Sequence, residues 1–378
     1  MAKRIKLGMI GGGSTSFIGI LHRIASYISE DYEIIGGVFD VDYKASLAFA
    51  EEKSFNTNRV YEDLDAFITQ ENALPVEERI EAVIIVTPNF LHYSQAKALI
   101  QGGFHVICEK PVTITSQEAE ELEGLIKEKN VVFGLTHTYT GYPMVREMKS
   151  LIAQGVIGKV QKVDAQYYQG WLNAPIHDKS LRNSIWRLDP AKAGISSCMG
   201  DIGVHAFNMV EYATGLKVDK VLSDLNNVYE DNSLDVDGIV MLRFTEGFAK
   251  GVVRASQVAT GEENNLQIMI YGEKGGFVWK QEEPTFLYHF IDGEPMRVIK
   301  PGYEFNTEFA QESTKMAPGH PEGIFDSMGN IYIGIAKAIR GEDYKDGAFP
   351  NIIDGVRGMK FIESAVESNK KNQEWVSL

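Results

Sequence analysis

Residues 5–19, IKLGMIGGGSTSFIG, decide the fold. A short apolar run ends at three glycines, Gly11 to Gly13, and apolar residues at helical spacing follow from Ile18 to Ile28. This order predicts a strand, a tight glycine-rich turn and a helix, which is the start of a βαβ unit. Ser16 lies where the common G-x-G-x-x-G pattern has its third glycine, and Gly19 follows later.

The first third of the chain continues this alternation of strand and helix. Further strands are predicted at 32–39, 82–86, 105–108 and 131–135, and further helices at 44–53, 94–101 and 116–129. Short apolar strands that alternate with helices predict a doubly wound parallel sheet, the α/β Rossmann architecture.

After about residue 137 the pattern changes. The predicted strands at 159–168, 220–229, 237–244, 249–257, 266–271, 276–280 and 285–290 lie closer together, and several alternate apolar with polar residues. Helices are expected at about 143–154, 201–214, 322–340 and 353–370. We therefore predict a Rossmann domain over residues 1–136 and an α+β domain with a large, mostly antiparallel open sheet over residues 137–378.

Composition excludes several classes of function. The 378 residues include 37 Lys and Arg against 52 Asp and Glu, a net charge of −15, which disfavours nucleic acid and anionic membrane surfaces as partners. Two cysteines and scattered histidines predict neither a disulfide framework nor a metal site. There is no apolar stretch of about 18 residues that would span a membrane, so the cytoplasm is the expected location.

The glycine-rich turn predicts a bound dinucleotide. Gly11 and Gly13 allow the turn and a close approach of pyrophosphate, and the following helix N-terminus offers N–H donors. Asp40 ends the second strand, where an acidic residue accepts hydrogen bonds from the adenine ribose and repels a 2′-phosphate, which favours NAD over NADP. Lys44 lies nearby and weakens that preference. The alternative is a turn without a ligand, with Asp40 at the surface.

Two more motifs end predicted parallel strands, where doubly wound sheets bind their ligands. Glu109-Lys110-Pro111 follows one strand, and its lysine is suited to hydrogen-bond a substrate hydroxyl or to help move its proton. Thr87-Pro88-Asn89, followed by His92, ends the neighbouring strand and is expected to contact the nicotinamide ribose. Taken alone, Lys110 also fits an ordinary surface lysine.

Asp201 and His205 open a predicted helix that Gly215 ends. Residues four apart share a helical face, so we expect the two side chains to point the same way. Histidine is suited to accept a hydroxyl proton near neutral pH, and a carboxylate can orient it or bind substrate. The alternative is a helix cap at Asp201 and a partly buried, structural His205.

Taken together, these motifs resemble the Gfo/Idh/MocA family of oxidoreductases over nearly the whole chain. The resemblance implies catalytic positions for Lys110, Asp201 and His205, and places Arg187 of the Trp186-Arg187 pair near cofactor and substrate. It also implies a dimer or tetramer through the C-terminal sheet. Residues that match one subgroup of the family include Phe17-Ile18-Gly19, His22-Arg23 and stretches that begin at His137, Gln169 and Gly319.

From these motifs we predict the residues of each site. The cofactor is expected to contact Gly11, Gly13, Ser16, Phe17, Ile18, Asp40, Thr87, Pro88, Asn89, His92, Glu109, Lys110 and Arg187. The substrate, a sugar, glycoside or inositol, is expected to contact His137, Tyr139, Trp171, Arg187 and His320, because aromatic faces and forked donors suit a polyol.

The expected activity is transfer of a hydride between a secondary alcohol of such a substrate and NAD. Two alternatives stay open at this point. An enzyme of the same family can retain its NAD while it cleaves a glycoside or exchanges electrons between two sugars, and a Rossmann protein can be a non-catalytic regulator.

Overall fold

A computed structural model of the chain describes residues 3–229 and 234–378. Its contacts group into two compact units. The first contains Met1–Thr113, Gln117–Thr138 and Phe325–Gly355, and the second contains Ile114–Ser116, Tyr139–Ile324 and Val356–Leu378. The first unit thus takes in a segment from the part of the chain predicted for the second domain, and the predicted boundary after residue 136 stays a prediction.

The first unit is built on a five-stranded, fully parallel sheet in the order β2-β1-β3-β4-β5. Its strands are β1 (Ile5–Gly11), β2 (Tyr32–Val38), β3 (Ala82–Val86), β4 (His105–Cys108) and β5 (Phe133–Leu135). Its helices include α1 (Phe17–Ile28), α2 (Tyr43–Glu52), α3 (Leu64–Asn72), α4 (Asn89–Gln101) and α5 (Ser116–Lys129). The central strands are almost entirely apolar because both of their faces are buried.

The carboxyl ends of these strands lie side by side. Gly11 pairs with Val86, Ile85 pairs with Cys108, and Cys108 pairs with Leu135. The turns that follow β1, β3, β4 and β5 therefore leave the sheet at one edge. This register brings the glycine-rich turn, Thr87, Glu109 and Thr136 to the same edge.

The second unit is built on a nine-stranded sheet in the order β13-β12-β11-β10-β6-β9-β8-β7-β14. Its strands are β6 (Val160–Tyr168), β7 (Val218–Asn226), β8 (Asp237–Phe244), β9 (Lys250–Ser256), β10 (Asn265–Gly272), β11 (Gly275–Lys280), β12 (Leu287–Ile291), β13 (Arg297–Ile299) and β14 (Val376–Ser377). All neighbours are antiparallel except β6 and β9. One face is buried, since Val240, Leu242, Ile268 and Ile270 alternate with exposed or half-buried residues.

Helices complete both units. They are α6 (Pro143–Ala153), α7 (Asn173–His177), α8 (Lys179–Ser184), α9 (Pro190–Ala193), α10 (Val204–Thr214), α11 (Glu308–Ser313), α12 (Ile324–Arg340) and α13 (Ile352–Lys370). Helix α10 is buried on nearly all sides, including the polar residues His205, Asn208 and Glu211, and packs on β6, β9 and β10. Residues 172–188 pack around a small separate hydrophobic core, which is formed by Leu172, Ile176, Leu188 and Val236.

The predicted fold class is confirmed, and four predicted elements, 82–86, 105–108, 116–129 and 237–244, have the observed bounds. The predicted regular helix over 201–214 is wrong at its start, where Met199–Gly203 forms a π-helical turn before α10. The strand predicted to end at residue 229 ends at Asn226. Within the described ranges, no helix combines the length and the low polarity needed to cross a bilayer.

Candidate active site

The glycine-rich turn leaves no room for side chains. Gly11 and Gly12 have φ of +80° and +77°, and a Cβ on Gly11 would lie 2.7 Å from the carbonyl oxygen of Val86. A Cβ on Gly13 would lie 2.7 Å from the carbonyl oxygen of Phe39. The turn is therefore bare backbone in front of the N-terminus of α1, which is the cradle that a dinucleotide pyrophosphate requires.

Ser16 and Gly19 together replace the third glycine of the G-x-G-x-x-G pattern. The Ser16 hydroxyl caps α1 by accepting a hydrogen bond from the Gly19 amide at 3.0 Å. A Cβ on Gly19 would lie 2.5 Å from the carbonyl oxygen of Gly12, so only glycine lets the helix pack this closely on the turn. Close packing of helix and turn is the function of the third glycine in the usual pattern, and here Gly19 provides it. At the start of α1, Phe17 is exposed and Ile18 is half-buried.

Asp40 lies beside this cradle. Its carboxylate oxygen Oδ1 accepts the backbone N–H of Asp42 at 3.0 Å, and a Cβ on Gly13 would lie 3.8 Å from its other oxygen. An anchored carboxylate next to the turn has the position that an acceptor for the ribose hydroxyls requires, so the residues present fit NAD.

His92 joins two turns of the sheet edge. Its Nδ1 lies 2.7 Å from the carbonyl oxygen of Pro111, and its Nε2 lies 2.8 Å from that of Thr87. Burial lowers the pKa of His92 despite these two acceptors, so the neutral ring donates to one carbonyl at a time. Both ring nitrogens face the protein's own backbone. Pro88 precedes α4 and Asn89 begins it, and the Lys110–Pro111 peptide bond is cis.

Glu109 accepts hydrogen bonds from three residues of the first unit. Its oxygen Oε1 lies 2.9 Å from Nε2 of His22 and accepts the Thr136 hydroxyl at 2.6 Å, and Oε2 accepts the Lys110 amide at 3.2 Å. Burial by itself would raise the pKa of Glu109, but the His22 and Thr136 hydrogen bonds and the charge of Lys110 hold it below its usual value. A buried carboxylate therefore stays charged beside Lys110.

His137 is almost completely buried after β5. Burial, with a smaller contribution from the charge of Lys110, lowers the pKa of His137 to about 3. Its imidazole is therefore neutral near pH 7 and can offer one donor and one acceptor.

In the second unit, Asp201 lies in the π-helical turn. Its oxygen Oδ2 accepts Nε of Arg187 at 3.1 Å and Nε2 of Gln257 at 3.0 Å. Gln257 is fully buried, and its own carbonyl oxygen accepts the Ser197 hydroxyl at 3.2 Å, which orients the amide nitrogen toward Asp201. The carboxylate thus has two donors on one oxygen.

Asp235 stabilises the π-helical turn in which Asp201 lies. Its two carboxylate oxygens accept the backbone N–H groups of Ser197 at 3.0 Å and Met199 at 2.8 Å. Burial raises the pKa of Asp235, and these hydrogen bonds act against that rise. The π-helical turn is a local widening of the helix that is frequent at functional sites, and here it directly precedes α10, whose second residue is His205.

His205 packs between two tyrosines. Its ring centre lies 4.9 Å from that of Tyr139, edge to face, and 6.0 Å from that of Tyr167. The two phenol oxygens lie 2.5 Å apart, and Tyr167 also donates to Oδ1 of Asn264 at 2.5 Å. Burial and then Tyr139 raise the pKa of Tyr167 well above its usual value, with a further contribution from Asp201. Tyr167 therefore packs against His205 and lies within electrostatic range of Asp201.

The exposed aromatic residue of this region is Trp171. Its indole N–H donates to Oε1 of Gln169 at 3.1 Å, and the Gln169 amide donates to Asn264 at 3.0 Å. The Arg187 guanidinium lies 4.5 Å from the ring centre of Trp186 and 6.0 Å from that of Trp171. Trp171 and Arg187 thus present a flat apolar surface beside a forked cation.

The structure joins most of the predicted residues of the second unit into one network, with one exception. His320 is exposed, and its Nδ1 lies 3.0 Å from the carbonyl oxygen of Ala317 in its own loop. None of its contacts in the described part of the chain reaches Arg187 or Asp201. Its role in substrate binding stays a prediction.

Several residues of the two networks were missed from the sequence. They are Tyr32, Thr136, Tyr167, Ser197, Asp235, Gln257, Asn264 and Tyr332. A signal existed only for Gln257 and Thr136, each a polar residue directly after an apolar strand. No group of three or more His, Cys, Asp or Glu in residues 3–229 and 234–378 could hold a metal ion.

The fold and the cradle define a class of protein, the oxidoreductases with an NAD-binding Rossmann domain. Residues 5–137 match the oxidoreductase family with an NAD-binding Rossmann fold, and residues 145–278 match the GFO/IDH/MocA C-terminal domain. An inositol dehydrogenase homologue from Azotobacter vinelandii, solved with NAD+, is 30% identical with a TM-score of 0.93, over 100% of this chain and 98% of the homologue. The chain belongs to the Gfo/Idh/MocA family of oxidoreductases, and its cofactor is NAD. The predicted family and cofactor are confirmed.

Other relatives are similar over their full length. The A. vinelandii homologue was also solved with NADH and myo-inositol, and that structure aligns at 29% identity with a TM-score of 0.90, over 100% of this chain and 98% of the homologue. An oxidoreductase from Sinorhizobium meliloti is 36% identical over 99% of this chain and 100% of its own, with a TM-score of 0.88. Levoglucosan dehydrogenase from Pseudarthrobacter phenanthrenivorans is 27% identical over 100% of this chain and 98% of its own length.

Proposed function

We propose that this protein is an NAD-dependent dehydrogenase that oxidises a secondary alcohol of a cyclitol, sugar or glycoside. The observation that carries the proposal is the Arg187–Asp201–Gln257 group, which holds a carboxylate in the turn directly before His205. Relatives named for myo-inositol and levoglucosan support this class of substrate.

The proposed roles follow the family motifs at which the residues lie. His205 takes the proton of the reacting hydroxyl, and Lys110 donates a hydrogen bond to its oxygen. Asp201 binds a neighbouring hydroxyl or orients the imidazole, while Arg187 holds the carboxylate. NAD, when bound, supplies the acceptor for the hydride that leaves the substrate carbon.

Other predicted contacts divide by what they can offer. Trp171 and Tyr139 are the proposed aromatic contacts to the C–H groups of a polyol, and His137 is a proposed polar contact to its hydroxyls. We assign Gly11, Gly13, Phe17, Ile18 and the backbone of α1 to NAD, and Thr87, Pro88 and Asn89 to its nicotinamide half. His92 acts through the turns that it joins, because both of its nitrogens face backbone carbonyls.

A preference for NAD over NADP belongs to the same proposal. Asp40 is held beside the cradle by the Asp42 amide, and its negative charge would oppose a 2′-phosphate. Lys44 is a nearby cation that would attract a 2′-phosphate and so favours NADP. The ratio of kcat/KM with NAD to kcat/KM with NADP measures the preference.

The test is turnover of a panel of cyclitols, sugars and glycosides, monitored by NADH absorbance, with wild type, Lys110→Ala and His205→Ala. We expect both variants to lose at least about 100-fold in kcat, because general acid–base groups contribute on this scale. Lys127→Ala, at an exposed position on α5 outside every predicted site, serves as a matched control. Full activity in both catalytic variants would overturn the assignment.

The same panel separates the other activities. Free NADH that accumulates with substrate supports a dehydrogenase. Cleaved glycoside or exchanged sugars without net NADH would show that NAD is retained and recycled. Binding of NAD without turnover of any compound would favour a regulator.

We also propose that copies of the chain associate through the second sheet. Strand register places Met241, Val252, Met269, Val278, Tyr288 and Val298 in one row across the face opposite α10, with Asp164 of β6 between Val252 and Met269. Met241 and Val298, at the two ends, are 40% and 44% exposed. A mostly apolar row with a polar residue within it suits a subunit interface, and sedimentation of wild type against Met241→Lys tests it. The cytoplasmic location stays a prediction.

A further inference from the structure

Helix α1 contacts two functional turns through adjacent residues. Arg23 donates from Nη1 to the carbonyl oxygen of Gly12 at 2.5 Å, within the glycine-rich turn. His22 lies 2.9 Å from Glu109, next to Lys110. One turn of helix thus connects the cofactor cradle with the turn that carries a proposed catalytic lysine.

The protonation of the His22 ring follows from its partners. The ring is completely buried, with Nε2 facing the Glu109 carboxylate and Nδ1 2.6 Å from the hydroxyl of Tyr332 on α12. A charged carboxylate only accepts hydrogen bonds, so Nε2 carries the hydrogen. In the neutral ring Nδ1 is then an acceptor, and the Tyr332 hydroxyl donates to it.

Tyr332 is held in turn by Tyr32. The Tyr32 hydroxyl donates to the backbone carbonyl oxygen of Tyr332 at 2.9 Å, and the two rings meet edge to face at 5.3 Å. With a neutral ring, the hydrogen bonds run from Tyr332 to His22 to Glu109. We call the hydrogen-bonded series Tyr332–His22–Glu109 the relay. Because Tyr32 reaches only the backbone of Tyr332, it supports the packing of Tyr332 without being part of the relay.

We propose that His22 and Tyr332 are positioning residues that hold the Glu109 carboxylate charged and oriented toward Lys110. This inference rests on the proposed role of Lys110. The relay explains why α1 carries a fully buried histidine, since an apolar residue would fill the space but leave Glu109 with one donor fewer. Its effect on catalysis is indirect, through the geometry of the Glu109-Lys110 turn.

Several other titratable groups surround Glu109 and contribute to its environment. They are Lys110 and Cys108 on its own strand end, His92 on α4, His137 after β5, and Tyr332 on α12. Burial lowers the pKa values of His92 and His137 and raises that of Cys108, so these three are neutral near pH 7. Lys110 is the cation that faces the carboxylate.

The experiment compares His22→Leu, His22→Gln, Tyr332→Phe and the matched control Tyr32→Phe. We expect His22→Leu to lower kcat/KM by about 10- to 100-fold, as loss of a supporting hydrogen-bond partner does elsewhere. Glu109 then loses a donor and its pKa rises, so the acid limb of the pH profile moves to higher pH. His22→Gln, whose amide can replace the Nε2 donor, restores part of both changes.

Tyr332→Phe removes the hydroxyl beside Nδ1, while Glu109 still keeps the hydrogen of the ring on Nε2. Nitrogen NMR of the histidines, without substrate, should therefore show a shifted Nδ1 resonance of His22 in this variant and an unchanged Nε2–H. Tyr32→Phe loses a buried hydroxyl of the same kind but should keep the wild-type Nδ1 resonance and pH profile. An Nδ1 resonance and a pH profile equal to those of wild type in Tyr332→Phe would overturn the proposal.

The two proposals fail in different ways. If no polyol is oxidised, the proposed function fails, while the Nδ1 resonance of His22 still reports on the relay. If wild type is active and Lys110→Ala is not, but the His22 and Tyr332 variants keep the wild-type pH profile, only the relay is wrong.

Discussion

Glu109 and Asp201 are the two carboxylates that stand next to proposed catalytic residues, and the protein holds them in opposite ways. Glu109, in the first unit, has a side chain 12% exposed and takes its hydrogen bonds from the His22 ring, the Thr136 hydroxyl and a backbone amide. Asp201, in the second unit, is 20% exposed and is held by a cation that is itself 36% exposed. Of the side chains that donate to these two carboxylates, only Arg187, which donates to Asp201, is also partly exposed to solvent.

The difference indicates two kinds of site. Around Glu109 both side-chain donors, His22 and Thr136, are buried, so protein contacts alone set the orientation of the carboxylate. Around Asp201 the donors include Arg187, which can contact a substrate as well. A cofactor shared by a whole family suits the first kind, and a substrate that differs between relatives suits the second.

The largest predicted effect is a fall in the free energy of unfolding of the first unit at acid pH. Burial, with the charge of Lys110, lowers the pKa of His137 to about 3 in the folded protein, whereas an unfolded chain has about 6.5. Below pH 6.5 the unfolded chain therefore binds a proton that the folded protein does not, and the free energy of unfolding falls. From pH 7 to pH 4 we expect a loss of about 3 kcal/mol from this residue.

Urea unfolding at pH 7 and pH 4 measures this loss in wild type and in His137→Gln, which cannot take up the proton. Between pH 7 and pH 4, the free energy of unfolding of the variant should fall by about 3 kcal/mol less than that of wild type. His320→Gln is the control, because that ring is exposed in the folded protein. Identical pH dependence in wild type and His137→Gln would mean that the first unit has no such acid sensitivity.

A smaller effect is expected from Gly19→Ala, which places a methyl group 2.5 Å from the Gly12 carbonyl oxygen and pushes α1 away from the turn. NAD affinity, measured by calorimetry, should fall about 30-fold, or about 2 kcal/mol. Gly124→Ala in α5 is the matched control, since its new Cβ would meet no atom within 4 Å. An unchanged NAD affinity in Gly19→Ala would show that the cradle tolerates movement.

The smallest effect should come from Gln257→Leu in the second unit. Asp201 then keeps Arg187 as its donor but loses the buried one, and we expect kcat to fall about tenfold with no change in NAD affinity. Gln166→Leu is the control, a buried glutamine on β6 without a described contact to Asp201. A change in NAD affinity as large as that in kcat would remove the distinction between the two kinds of site.

Much of the fold was predictable because its signals are local. Apolar runs of five to eight residues that end at Gly11 or Thr87, and alternation in β8, follow from burial of one or both sheet faces. Helix α3 was missed because only Phe67 and Glu71 are buried on it, which leaves no apolar period. Strand β13 was missed because it is a short, mostly exposed edge strand.

The candidate site was predictable only as separate motifs. Lys110, Asp201 and His205 each stand in a recognisable context, but Gln257 lies 56 positions from Asp201 and Tyr332 lies 310 from His22. No periodicity connects residues so far apart. The π-helical turn was also invisible, because it depends on Asp235 accepting two backbone N–H groups from another part of the chain.

The sequence by itself determined the class of this protein, since a glycine-rich turn between strand and helix, with Asp40 after the next strand, requires no distant partner to be recognised. It also determined which ionisable residues are available for chemistry. Only the tertiary structure decided how each is held: Glu109 by His22 and Tyr332, Asp201 by Arg187 and Gln257, His205 by Tyr139 and Tyr167. Hydrogen bonds and desolvation act over a few ångströms in space, so their effect on a side chain depends on neighbours that only folding assembles.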